Sequence, residues 1–133
     1  RDFQSLRIAD ETRGLDAARA TPESPAPGLD PLYLVVARAA AGWNAAGNVG
    51  LVVGATYPRE LAAVRAAAPD LPFLVPGIGA QGGDLDAALS AGLDARGRGM
   101  VVNSSREIVF AADPGAAART LRDRIEAARG RVR

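Results

Sequence analysis

Apolar positions along this chain fall into two alternating patterns. The first has helical spacing. Leu32, Val36, Ala39 and Trp43 recur every three or four residues and predict an amphipathic helix over 31–46, with Trp43 in its packed stripe. Asp30 and Pro31 suit its N-cap and first turn, and Gly47 and Asn48 end it. Leu61, Val64 and Ala68 share the face of a helix that starts at Thr56, Tyr57 and Pro58 and stops at Pro69. Leu85, Ala88 and Leu89 predict a short helix capped by Asp84 and ended by Gly92. Asp113 and Pro114 open a last helix with Ala117, Leu121, Ile125 and Ala128 on one face, ending before Gly130.

The second pattern is a short, continuous apolar run. Val49 to Ala55, Leu71 to Val75 and Gly99 to Val102 are such runs, the mark of strands built for burial on both faces. The order is helix, strand, helix, strand, helix, strand, helix, which predicts a parallel sheet with right-handed crossovers. Three strands cannot close an eight-fold barrel, which needs about 250 residues. The chain has 133 residues and begins with Arg rather than Met, so the expectation is a portion of a larger domain. Uncovered apolar strand faces would make such a portion fold poorly alone. Before the first helix, Pro22, Pro25 and Pro27 forbid a stable helix or central strand, so residues 10–30 read as a flexible Pro/Ala-rich loop and 1–9 as a leading segment.

Composition narrows the chemistry. Net charge is +1, which gives no electrostatic case for nucleic acid or an anionic membrane. No apolar run approaches the roughly 20 residues of a membrane span, and the N-terminus shows no signal-peptide pattern. There is no Cys and no His, which makes zinc improbable and excludes a disulfide framework. There is no Lys either; all sixteen basic residues are Arg. Several usual groups for proton transfer or nucleophilic attack are therefore missing. The Arg-rich tail from Arg119 is interleaved with Asp123 and Glu126 and reads as a solvated helix face.

Two strand-end loops carry the candidate chemistry. The first runs from Pro76 to Asp84, with Gly77, Gly79, Gly82 and Gly83 around Gln81. Its glycines allow close backbone approach to a ligand, and it leads into a helix N-terminus that favours an anion. Gln81 both donates and accepts hydrogen bonds. The same loop also serves as a plain strand-to-helix turn. The second loop, Asn103 to Arg106, offers the Ser104 and Ser105 hydroxyls and a guanidinium suited to bidentate phosphate binding. The alternative is that Arg106 pairs with Glu107 or Asp84. Thr56 and Tyr57 follow the first strand and belong on the same rim; with Pro76 they are candidate pocket lining.

Three segments together, Val49–Pro58, Phe73–Gly83 and Val102–Arg106, resemble the C-terminal part of orotidine 5′-phosphate decarboxylase, in its second, longer bacterial subgroup. The resemblance covers about 30–128. It implies an α/β fold, the C-terminal part of a (β/α)8 TIM barrel with these strands as sixth to eighth, so 31–133 would be a half-barrel with phosphate-binding loops. It implies a cytoplasmic, homodimeric lyase of pyrimidine biosynthesis that converts orotidine 5′-phosphate to UMP with no cofactor. Gln81 would contact phosphate and pyrimidine, Arg106 would grip the phosphate, and Ser105 would give a backbone N–H, with Gly79, Gly82 and Gly83 in the same loop. The family's Asp-Lys-Asp array on strands two and three, completed by a partner-subunit Asp, has no counterpart here, so no catalytic residue is expected in this chain and it is expected to be inactive alone. Glu107 departs from the subgroup, which usually shows glycine there. A non-catalytic half-barrel that binds phosphorylated ligands or another chain, and another phosphate-binding barrel enzyme such as a sugar-phosphate epimerase, are the alternatives.

Overall fold

Leu51–Val52 (β3), Phe73–Pro76 (β4) and Met100–Asn103 (β5) form a parallel three-stranded sheet in the order β3-β4-β5. They belong to a computed structural model that describes residues 7–9, 29–79 and 82–132. Leu51, Phe73 and Met100 lie in one register row, and Val52, Leu74 and Val101 in the next. The β3 ladder continues past its two residues: the Val53 N–H donates to the Leu74 carbonyl (2.9 Å) and the Ala55 N–H to that of Pro76 (2.9 Å).

Helices cover one face of this sheet. Pro58–Ala67 (α2) and Leu85–Gly92 (α3) are the crossovers, and Pro114–Val132 (α5) packs beside α3. Phe73 and Val75 point into the core and meet Leu61, Val64, Leu89 and Ala88. Val52, Leu74 and Val101 point the other way and are 71%, 40% and 61% exposed. The strands are thus built for burial on both faces, and the described residues cover only one.

α2 begins with Pro58 at its first position and buries Leu61 and Val64 as the spacing predicts. It also buries Arg65, which the sequence pattern did not single out. Its Nε donates to the Gly92 carbonyl (2.7 Å), Nη1 to Leu71 (2.8 Å), Pro69 (3.2 Å) and Ala68 (3.3 Å), and Nη2 to Gly99 (3.0 Å). One guanidinium thereby ties the ends of α2 and α3 to the lead-ins of β4 and β5. Burial pulls its pKa down, and Asp94 and Asp70 oppose this.

Four boundaries differ from the sequence reading. Leu29–Pro31 (β2) pairs antiparallel with Arg7–Ala9 (β1), so Asp30 is a strand residue. It pairs with Arg38 instead of capping the helix, and Pro31 takes the N-cap position. The helix Leu32–Trp43 (α1) buries Ala37 and Ala40, one residue round from the expected stripe, and ends in a 3-10 turn at Asn44–Ala46. It packs mainly on α2, so Trp43 is left 70% exposed rather than in the core. A five-residue helix, Ser105–Val109 (α4), follows β5 and was not foreseen. α5 runs through Gly130 to Val132. Gly130 costs such a helix about 1 kcal/mol relative to Ala; Arg129 bonded to the Gly97 carbonyl (2.9 Å) and Arg131 paired with Asp86 (2.6 Å) hold this end down. Segment 10–28 and Gln81 lie outside the described residues.

Candidate functional site

The register fixes the site. Pro76 ends β4 opposite Asn103 at the end of β5, so the two loops leave side by side. Between them lies a shallow cavity of about 70 Å³, lined by Pro76, Gly77, Ile78, Asn103, Ser104, Ser105 and Arg106. Larger grooves of about 320 and 390 Å³ lie at the β3 and β5 sides of the sheet. The first is mostly apolar; the second holds Arg98, Glu126 and Arg129 beside apolar side chains. The convergent polar groups of both strand-end loops are at the small cavity.

The glycine loop closes on itself. Gly77 and Gly79 have φ of 98° and 72°, which L side chains rarely adopt. The Gly79 N–H donates to the Gly83 carbonyl (3.0 Å), that of Gly82 to Gly79 (2.7 Å) and that of Gly83 to Gly77 (3.0 Å). Three backbone N–H groups of the loop are thus engaged within it rather than turned to a ligand. One N–H of the following helix N-terminus is also taken, since Asp84 accepts from the Ala87 N–H at 2.7 Å.

The β5 loop is more open. Ser105 Oγ donates to Asn103 Oδ1 (3.0 Å), and both residues are exposed. Ser104 is buried, and its hydroxyl donates to Glu107 Oε2 at 2.7 Å. Arg106 is exposed and has no ion-pair or hydrogen-bond partner for its guanidinium among the described residues. Neither Glu107 nor Asp84 takes it. Glu107 instead folds back across the gap, so that a Cβ placed on Gly79 would collide with its carboxylate.

Of the sequence candidates, Pro76, Ser105 and Arg106 therefore share one cavity, and Gly79 sits beside it through Glu107. Gly82 and Gly83 lie on the α3 side of the glycine loop. Tyr57 is half-exposed and lines the groove at the β3 edge with Leu32 and Val36; Thr56 is exposed at the end of β3. Sequence reading offered the Ser104 hydroxyl to a ligand but missed its burial, its bond to Glu107 and the reach of Glu107 to Gly79. The signal was a Ser-x-x-Glu spacing, the pattern of a capping box. Here the hydroxyl donates to the carboxylate, and no side chain caps the α4 backbone. Among the described residues no group of three or more His, Cys, Asp or Glu could hold a metal, and no helix is long and apolar enough to cross a membrane.

The chain resembles known proteins along most of its length. A family profile described as "Orotidine 5'-phosphate decarboxylase / HUMPS family" matches residues 24–121. Over 108 residues the chain is 56% identical to an orotidine 5′-phosphate decarboxylase of Bordetella pertussis, covering 74% of this chain and 40% of that protein. Among solved structures, Leishmania donovani OMP decarboxylase matches with a TM-score of 0.75 and 48% identity, over 96% of this chain and 42% of the other. Leishmania donovani UMP synthase matches with a TM-score of 0.77 and 52% identity, over 96% and 24%. The chain spans about 40% of the length of the curated relatives it matches. Its three parallel strands align with part of these decarboxylase barrels.

Proposed function

The chain belongs to the orotidine 5′-phosphate decarboxylase / HUMPS family, and from that premise we propose that it supplies the phosphate-gripping portion of an orotidine 5′-phosphate decarboxylase. The observation that carries this reading is Arg106. Its guanidinium is unpaired among the described residues, beside a cavity formed by two adjacent strand-end loops. A planar fork of donors in that position suits a phosphate. Ser105 and the glycine loop with Gln81 complete the proposed grip.

The chemistry of decarboxylation is proposed to lie outside this chain. The chain has no His, Cys or Lys, so it offers no ammonium to protonate a carbanion at C6 of the pyrimidine. Its part is binding. Contacts to the distant phosphate lower the barrier at the pyrimidine only if they hold the reacting end in place as charge develops there. The 133-residue chain alone is therefore proposed to be inactive, and the active protein to be a homodimer.

The test is titration of UMP into the polypeptide as its source cells make it, with the intact mass of that polypeptide recorded first. Arg106→Ala is expected to weaken UMP binding about 100-fold, the loss of a charge-assisted bidentate contact of roughly 3 kcal/mol. Uridine affinity should stay unchanged. An equal loss for both ligands would sink the phosphate role of Arg106. A mass near 13.6 kDa, with UMP bound and no decarboxylation, would favour the second reading: a non-catalytic binder of phosphorylated ligands, consistent with the missing lysine.

A further inference from the structure

Glu107 follows Arg106 directly, yet the two do not pair. The carboxylate turns away from the neighbouring guanidinium and crosses to the other loop. One hydrogen bond holds it there, and one glycine makes room for it. Ser104, only 5% exposed, donates its hydroxyl to Oε2 at 2.7 Å. Gly79, with no side chain to obstruct it, leaves room for Oε1. The carboxylate thus lies between the loops after β4 and β5, one residue along from the cation that would bind phosphate.

We propose that Glu107 is a built-in competitor of the phosphate: its carboxylate, held by Ser104 and lying against Gly79 beside the cavity, opposes a phosphomonoester dianion there by its own negative charge. The proposal rests on the phosphate-site reading above. Its physical basis is charge. A carboxylate and a phosphate dianion a few ångströms apart repel by a factor of roughly ten in affinity even at the dielectric of water. Swinging the carboxylate away to relieve this repulsion costs the Ser104 hydrogen bond, whose buried hydroxyl then needs another partner. Glu107 therefore sets how strongly the site prefers a dianion over a less charged group.

Glu107→Gln tests this with little change of shape. A glutamine carbonyl still accepts from Ser104 and still fits against Gly79, but it carries no charge. UMP and uridine are titrated into wild type and E107Q at low ionic strength, with a thermal melt of each to confirm folding. UMP should bind E107Q about tenfold tighter than wild type, uridine should bind both equally, and the UMP gain should shrink as salt rises. Glu107→Gly, which removes the carboxylate altogether, should gain at least as much. Unchanged UMP affinity in both variants would overturn the proposal and leave the phosphate-site reading standing. Weaker UMP binding in E107Q would overturn it too, since Glu107 would then be helping to hold the ligand. If UMP and uridine bind no variant, the phosphate-site reading fails and the proposal with it.

Discussion

The Arg65 guanidinium lies 3.7 Å from the centroid of the Phe73 ring. Phe73 is fully buried at the start of β4, so the cation stacks on an aromatic face while its N–H groups reach main-chain carbonyls round its rim. A charge is tolerated here because it is hydrogen-bonded and stacked, and Asp94 and Asp70 lie near enough to offset part of the burial.

Arg65→Met should cost about 3 kcal/mol or more, because several buried carbonyls lose their donor at once. Arg65→Lys should recover only part, since an ammonium cannot present the same planar fork. Urea unfolding of both variants checks this. A loss below about 1 kcal/mol for the Met variant would mean that water replaces the guanidinium without penalty.

Gly79 and Glu107 should be energetically coupled. Gly79→Ala must hold an L residue at φ 72° and also displaces the Glu107 carboxylate. A loss of roughly 2 kcal/mol is expected. In the Glu107→Gly background the collision disappears and only the backbone strain remains. A double-mutant cycle should give a coupling near 1 kcal/mol; additive losses would show that the carboxylate moves aside freely.

Asp94 should make stability fall in acid. Its carboxyl is held below the ordinary range chiefly by the Arg98 N–H (2.8 Å), then by the Arg96 N–H (2.9 Å) and side chain, against the opposing effect of burial. A carboxyl with a lowered folded-state pKa stabilises the fold above its unfolded value of about 4. That contribution is lost as pH falls through the folded-state value. Melting temperatures from pH 6 to pH 3 should therefore drop more in wild type than in Asp94→Asn. Parallel curves would exclude Asp94 as a source of acid sensitivity.

The row of Val52, Leu74 and Val101 should make the 133-residue chain sticky by itself. Together they form an exposed apolar strip across the sheet. The triple variant Val52→Thr, Leu74→Gln, Val101→Thr should bind less hydrophobic dye and self-associate less in sedimentation. If dye binding is unchanged, the sticky surface is elsewhere, and the groove of Leu32, Val36 and Tyr57 is the next place to look.

Local signals read well where one residue acts on its own backbone. Asp84 caps α3 and Asp113 caps α5 because an Asp side chain reaches an N–H three residues on, whatever the tertiary context. Leu61 and Val64 are buried, as their spacing predicts. The order of strands and helices follows from apolar runs alternating with helical periods, and the family resemblance carried by the three motifs agrees with the matched profile.

The misreadings share a different cause. Trp43 fits the apolar stripe of α1, but which stripe is buried depends on what packs against it, and α1 rests on α2 through Ala37 and Ala40. Arg65 carries no burial signal in the sequence pattern; only the meeting of five carbonyls from separate segments makes its burial tolerable. Helical and strand periods, caps and turns are short-range properties, so the chain by itself determined the three parallel strands, the four longer helices, their order and the two loops that carry polar chemistry. The fold decided which partners those loops meet. Parallel register brought Gly79 beside the Glu107 carboxylate, more than 25 residues on along the chain, because hydrogen bonds between neighbouring strands align segments whose separation in sequence says nothing of their distance in space.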